Sequence, residues 1–207
     1  MEIDHPIFIE SIQFIRSNLP ENDLSFIENS VLERIIHTSG DFGLEALLEF
    51  SQDACEIGIK AIKSGSPILT DTNMAAVAIK SMLSKTNNNL LFSAMDWVGE
   101  NVITSHTRSA FGMEKAWLEL SSKYYGERAP IVVFGSSPTA LEQLLDILEI
   151  SEVKPNLIIG MPVGFIGVKK SKERLSRTSL NNIILHSSRG GAAIAAATIN
   201  SLIRASL

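Results

Sequence analysis

The sequence is poor in cysteine, in long apolar runs and in excess positive charge. One cysteine, Cys55, stands among 207 residues, which excludes an intrachain disulfide framework and a cysteine-based metal site and indicates a reducing compartment. The longest apolar stretch, residues 190–203, is interrupted by polar side chains and is too short to span a membrane. A net charge of −5 argues against nucleic-acid binding, which needs a dominant basic surface.

Several functional signatures are also missing. The first 16 residues carry early acidic side chains and no long apolar core, so they do not resemble a secretory signal, and we expect a cytoplasmic protein. No G-x-G-x-x-G follows the first predicted strand, and neither a phosphate-binding P-loop nor a G-x-S-x-G nucleophile elbow is present. The four histidines lack metal-ligand spacing, so no metal site is predicted.

The apolar pattern predicts one α/β domain covering residues 1–207. Apolar residues make up 45% of the chain and charged residues 20%, as in ordinary globular proteins. The predicted strands are short and apolar on both faces, as in a covered parallel sheet; they span residues 67–70, 90–94, 131–134, 157–159 and 183–185. Helical patterns precede and separate them, at residues 6–18, 25–37, 43–50, 52–64, 73–84, 108–125, 139–150, 169–177 and 191–203. This order predicts a three-layer α/β/α sandwich with a flavodoxin-like parallel sheet of about five strands and an N-terminal helical segment.

Glycine, serine and proline cluster where the predicted strands end. Residues 135–139 read G-S-S-P-T and residues 186–191 read H-S-S-R-G-G. Ser137 is a suitable N-cap before Pro138, and the free N–H groups of such a helix start favour an anion. Tight turns in any α/β protein use the same residue types, but several on one sheet edge indicate a ligand cleft, which the turns alone do not name.

His37 closes a predicted helix just before a polar turn. Its position suits a residue that hydrogen-bonds or carries charge at a helix C-terminus. Because imidazole titrates near neutral pH, His37 is equally a candidate general acid or base.

Six segments, taken together and in order, resemble the precorrin-8X methylmutase family. Residues 34–41, R-I-I-H-T-S-G-D, are similar to its R-x-[IV]-H-x-x-G pattern, and residues 160–165 match its G-M-P-V-G-F. The others are G-S-P-I-L-T-D-T-N-M at 65–74, T-R-S-A at 107–110, G-S-S-P-T-A-L at 135–141, and the paired glycines at 190–191. The match extends from about residue 7 to residue 202.

The resemblance implies a homodimeric, flavodoxin-like isomerase of cobalamin biosynthesis. Such an enzyme moves a methyl group from C-11 to C-12 of precorrin-8X, or of its cobalt form, giving hydrogenobyrinate or cobyrinate without a cofactor. The family's catalytic histidine falls on His37, its substrate contacts on Ser11 and Arg34, and the arginine of its T-R-S motif on Arg108. Since the corrinoid is anionic, we add the strand-end residues as predicted substrate contacts: Ser136, Ser137, Thr139, Arg189, Gly190 and Gly191.

The chain departs from the family pattern at Ser136, Lys170 and Ala192, where asparagine, glutamate and a small polar residue are usual. These departures affect substrate recognition rather than the proposed chemistry. Two other functions stay open from the sequence: a corrinoid-binding protein without catalysis, and an unrelated α/β domain that binds a small anionic metabolite.

Overall fold

The computed structural model describes residues 5–86, 89–99 and 106–207 and contains a six-stranded mixed sheet. The strands are β1 (Leu48–Phe50), β2 (Ile68–Thr70), β3 (Leu91–Ser93), β4 (Ile131–Phe134), β5 (Leu157–Gly160) and β6 (Asn182–Leu185). Their order is β1-β6-β5-β4-β2-β3, and β2 to β6 are parallel. Without β1, this is the flavodoxin order 2-1-3-4-5, so the predicted fold is confirmed.

Helices cover both faces of the sheet. They are α1 (Pro6–Asn18), α2 (Phe26–Ser39), α3 (Ala54–Lys63), α4 (Asn73–Leu83), α5 (Arg108–Lys123), α6 (Pro138–Ile150), α7 (Val168–Ser176) and α8 (Ala192–Ser206). One core joins the sheet to α2, α3, α4 and α8, and a second joins its opposite face to α5, α6 and α7. Helix α1 packs outside this sandwich, against α2.

The central strands supply both cores because successive side chains point to opposite faces. In β4, Ile131 and Val133 enter the first core, whereas Val132 and Phe134 enter the second. All four are fully buried. This explains why the strands appear in the sequence as unbroken apolar runs without alternation.

The prediction of a helix over residues 43–50 is wrong. A 3-10 helix, Phe42–Leu47, occupies most of that segment, and β1 follows it as an edge strand antiparallel to β6. Glu49 is exposed between the less exposed Leu48 and Phe50, which is a two-residue alternation. Three residues are too few for this pattern to be distinguished from a helical one, and the pairing with β6 lies more than 130 residues away. The sheet therefore has one strand more than predicted.

Among the described residues, no helix is both long enough and apolar enough to cross a membrane.

Candidate active site

Helix α2 places His37 at the edge of the sandwich. The helix begins with a capping box between Ser25 and Glu28 and ends at Gly40, whose φ of 66° is left-handed. Buried side chains on one face, including Val31 and Ile35, fix the helix on the core. His37 follows in the last turn and is exposed.

Helix α1 brings Ser11 to His37. The Ser11 Oγ lies 2.7 Å from His37 Nδ1, and the Phe8 ring meets the imidazole edge to face at a centroid distance of 5.1 Å. The Arg34 guanidinium carbon lies 4.7 Å from the centre of the same Phe8 ring. Because Ser11 engages Nδ1, it fixes the ring orientation and leaves Nε2 for another partner. The structure thus brings together Ser11, Arg34 and His37, which the sequence predicts as site residues.

A cavity of about 360 Å³ opens beside this group. Phe8, Arg34, His37 and Thr38 line one side of it. The facing wall consists mainly of small side chains from α4 and α8, namely Ala78, Ala193, Ala196, Ala197 and Asn200. The cavity therefore pairs an apolar wall with one imidazole and one guanidinium, a combination typical of small-molecule sites.

A second group of predicted residues surrounds the N-termini of α5 and α6. The side chains of Thr107 and Ser137 cap these two helices. Thr107 Oγ1 lies 2.6 Å from Thr139 Oγ1, and Ser109 Oγ lies 2.8 Å from Ser137 Oγ. The hydroxyl pairs tie the two helix starts together, and Arg108, the first residue of α5, is exposed beside them.

Asp71, which directly follows β2, binds the backbone N–H groups of the loop between β4 and α6. Its Oδ2 accepts hydrogen bonds from the N–H groups of Gly135, Ser136 and Ser137 at 3.2, 2.7 and 2.6 Å. Asp71 is fully buried; burial raises its pKa overall, and the three amide donors act in the opposite direction. A carboxylate of the protein therefore already binds these three N–H groups, and only those of the helix that follows stay candidates for a ligand.

Arg189, Gly190 and Gly191 form a third group, in the turn before α8. Arg189 Nη2 forms an ion pair with Asp41 Oδ2 at 2.7 Å. A Cβ atom on Gly190 would lie 2.2 Å from the Met161 carbonyl oxygen, so only glycine fits there. The Gly191 N–H donates to the same carbonyl at 2.9 Å.

The start of α8 joins all three groups. A Cβ on Gly135 would lie 2.6 Å from the Ala192 Cα, so the strand end and the helix start are in close contact. Ala193, one residue further, lines the cavity beside His37. The predicted site residues thus share the edge of the sheet where the parallel strands end, as expected for an open α/β sheet.

Two features of the site have no counterpart in the sequence prediction. Phe8, which contacts both His37 and Arg34, appears in the sequence only as one more aromatic residue in an amphipathic helix. Asp71 lies in a recognised motif, but no signal in the sequence indicated that it caps the loop after β4. Within the described residues, no group of three or more histidine, cysteine, aspartate or glutamate side chains is arranged to hold a metal ion.

Fold and geometry together define a doubly wound α/β protein with a histidine-lined cavity next to the helix that starts at the carboxyl edge of its sheet. The family model for precorrin-8X methylmutase matches residues 6–205. The chain therefore belongs to the precorrin-8X methylmutase family.

Individual relatives agree with this assignment. The chain is 31% identical to the cobalt-precorrin-8 methylmutase of Synechocystis sp. over 97% of its own length and 95% of the relative's. It is 36% identical to the precorrin-8X methylmutase of Pseudomonas aeruginosa, over 82% and 80% of the two chains. The crystal structure of precorrin-8x methyl mutase from Thermus thermophilus superposes with a TM-score of 0.85 at 30% identity, covering 97% of this chain and 95% of that one.

Proposed function

We propose that the protein is an isomerase of cobalamin biosynthesis that moves the C-11 methyl group of precorrin-8X, or of its cobalt form, to C-12. The product is hydrogenobyrinate or cobyrinate. The observation that carries this proposal is the Ser11–His37 pair at 2.7 Å, facing a cavity with an apolar wall in a chain of this family.

His37 acts as the proton donor in this mechanism. A methyl shift within a conjugated macrocycle breaks one carbon–carbon bond and forms another, and it needs neither a nucleophile nor a redox partner. A proton or strong hydrogen bond given to a ring nitrogen from His37 Nε2 biases the ring toward the product tautomer. Ser11 holds the imidazole through Nδ1, and the small side chains of the cavity wall leave space for the macrocycle beside it.

The arginines of the cleft are proposed to bind the peripheral carboxylates of the corrinoid. Arg34 lines the cavity itself, and Arg108 is exposed at the start of α5. Arginine suits this role because its guanidinium binds a carboxylate in bidentate fashion. Arg189 shares its charge with Asp41, so it contributes through the ion pair rather than as an isolated cation.

We further propose that the enzyme works as a homodimer in the cytoplasm. A cavity of about 360 Å³ lies near the lower end of the range of about 300–1,000 Å³ for drug-sized ligands. A corrin ring with its carboxylate side chains is larger, so it must extend beyond this cavity. Exposed apolar side chains on α1, beside the cavity, suit a second subunit that completes the site.

The first test mixes the purified protein with hydrogenobyrinic acid and looks for a coloured complex on gel filtration. Precorrin-8X and cobalt-precorrin-8 are then supplied separately and the absorption spectrum is followed. Binding with conversion of either substrate supports the proposal. If the protein binds the corrinoid but converts neither substrate, it is a corrinoid carrier. If no colour binds, the ligand is an unrelated anionic metabolite.

The role of His37 is tested by His37→Ala. We expect turnover to fall by about 10²–10⁴-fold, the usual contribution of a general acid, while affinity for the product is retained. Ser11→Ala keeps the imidazole but removes its hydrogen bond, so it should show an intermediate loss. Single-turnover rates and product titrations separate the two effects, and full activity of His37→Ala would remove His37 from the mechanism.

A further inference from the structure

Lys172 of α7 is a buried cation behind the turn that leads into α8. Its side chain is fully buried, and no carboxylate of the described residues lies within ion-pair distance of it. Its Nζ donates hydrogen bonds to the carbonyl oxygens of Ser187 and Arg189, at 3.1 and 2.6 Å. Burying an ammonium group without a counter-ion is costly, so its presence behind this turn requires a physical explanation.

Lys172 determines the direction of two peptide units. The described chain contains no cis peptide bond, and in a trans peptide the N–H points opposite to the C=O. The N–H groups of Ser188 and Gly190 therefore point away from Lys172. Neither donates a hydrogen bond to any residue in the part of the chain that the structure describes, whereas the N–H groups of Arg189 and Gly191 do donate.

The turn is held rigidly in this orientation. Ser187 has a left-handed φ of 68°, and the Gly164 N–H donates to the Ser188 carbonyl at 3.1 Å. Gly190 fits against the Met161 carbonyl with no space for a side chain. Ser188 and Gly190 are both partly exposed, so the turn that carries these N–H groups borders solvent.

We propose that Lys172 is a positioning residue that presents the Ser188 and Gly190 N–H groups as a receptor for one carboxylate of the substrate. The ammonium binds the carbonyl ends of the two peptides, and the opposite ends carry the positive partial charge toward the ligand. Backbone N–H groups that a turn leaves without an internal acceptor can form an anion-binding concavity. This receptor rests on the proposed function, because the corrinoid supplies the carboxylate, and it differs from the loop after β4, whose amides Asp71 occupies.

The first experiment compares Lys172→Met with Lys169→Met. Both changes remove one lysine charge from α7, but Lys169 is exposed. We expect Lys172→Met to weaken binding of hydrogenobyrinic acid by about tenfold or more, the effect of losing hydrogen bonds to a charged group. Binding of a corrinoid whose carboxylates are amidated should change much less, and the rate of the bound reaction should stay within about twofold of that of Lys169→Met.

A loss of affinity for the acid that exceeds the loss for the amidated corrinoid distinguishes this role from a merely structural one. A protein that is only loosened by the substitution would lose affinity for both corrinoids alike, and that outcome would overturn the proposal. So would equal affinity of the two lysine variants for the acid. If the wild-type protein binds no corrinoid at all, it is the proposed function that fails, and this result is separate from either of the others.

A second measurement needs no substitution. In the ¹⁵N-labelled wild-type protein, hydrogenobyrinic acid should move the amide proton signals of Ser188 and Gly190 downfield as they bind a carboxylate. The His186 amide, which already donates to the Leu47 carbonyl, serves as the internal control and should move little. Unmoved signals at both Ser188 and Gly190 in the saturated complex would contradict the receptor.

Discussion

Lys172 and Asp71 are buried charged residues that stabilise the loops on which the proposed site is built. Asp71 binds three backbone N–H groups after β4, and Lys172 binds two carbonyls after β6. Each thereby satisfies backbone groups that would otherwise lack partners at the end of a strand. Asp71 uses up N–H groups in its loop, whereas Lys172 uses up carbonyl groups and leaves N–H groups free in its turn, so the two loops present different groups to a ligand.

The buried lysine predicts a specific dependence of stability on pH. Burial lowers the Lys172 pKa from 10.5 to about 8. Between about pH 8 and 10.5 the unfolded chain therefore binds more protons than the folded one, so the free energy of unfolding rises with pH across this window. Below about pH 8 both states are protonated and the contribution is constant.

Urea denaturation of the wild type and of Lys172→Met, repeated across this pH window, measures the effect. The free energy of unfolding of the wild type, minus that of Lys172→Met, should increase as the pH rises. The two proteins are compared by difference because burial raises the pKa of the Cys55 thiol to about 12. This thiol gives a slope of opposite sign above pH 9 in both proteins, and the difference cancels it. A difference that stays constant across the window would show that Lys172 is not desolvated as the structure indicates.

Individual residues of the site differ in how far the sequence reveals them. His37, Ser11 and Arg34 follow from ordered motifs, and the structure places Ser11 against His37 although 26 residues separate them. The partners of Asp71 and Lys172 could not be predicted in this way. A carboxylate or ammonium has no preferred sequence separation from the loop that it binds, and its burial depends on how distant elements pack.

At the scale of the elements, the position of α5 depends on a close backbone contact between Gly112 and Ala94. A Cβ on Gly112 would lie 2.2 Å from the Ala94 carbonyl oxygen, which belongs to the backbone and cannot rotate away. Alanine in place of a helical glycine normally adds about 0.5–1 kcal/mol of stability. Here the clash of the added methyl group with the Ala94 carbonyl should outweigh that gain. We expect Gly112→Ala to lower the free energy of unfolding by about 1–3 kcal/mol.

Gly58→Ala in α3 is the matched control. Its Cβ would meet the terminal methyl groups of Leu157 and Leu202 at 2.8 and 2.9 Å, and these side chains can shift. Its change in unfolding free energy should stay within about 1 kcal/mol of zero, because the helix gain offsets the repacking. Denaturation midpoints compare the two variants, and equal midpoints would mean that α5 can move away from Ala94. Gly112→Ala should also weaken product binding, since α5 carries Arg108.

The elements were mostly predictable because their patterns are local. The parallel strands are unbroken apolar runs, and helices such as α6 begin at the expected cap, Ser137, followed by proline. The exception, β1, is a three-residue strand that exists only through its pairing with β6. Short edge strands of this kind have too few residues for a periodic pattern and depend on a partner distant in the sequence.

At the scale of the whole molecule, we infer that a second chain completes the proposed site. Its cavity of about 360 Å³ opens next to α1, which packs outside the sandwich and contacts mainly α2. Two side chains seven residues apart on this helix, Ile7 and Phe14, are 69% and 62% exposed. Apolar side chains exposed together on one helix face are typical of an interface.

The homodimer is therefore tested on α1. We expect the wild-type protein to sediment as a dimer, and Phe14→Asp to shift it toward the monomer because a charge would be buried at the contact. Product affinity should fall as the dimer is lost, since one chain alone offers only part of a corrinoid-sized site. Ile150→Asp, at an equally apolar and 90% exposed position at the end of α6, should change neither property. A Phe14→Asp protein that remains dimeric would place the contact elsewhere, and a monomeric variant that retains full product affinity would mean that one chain holds the whole site.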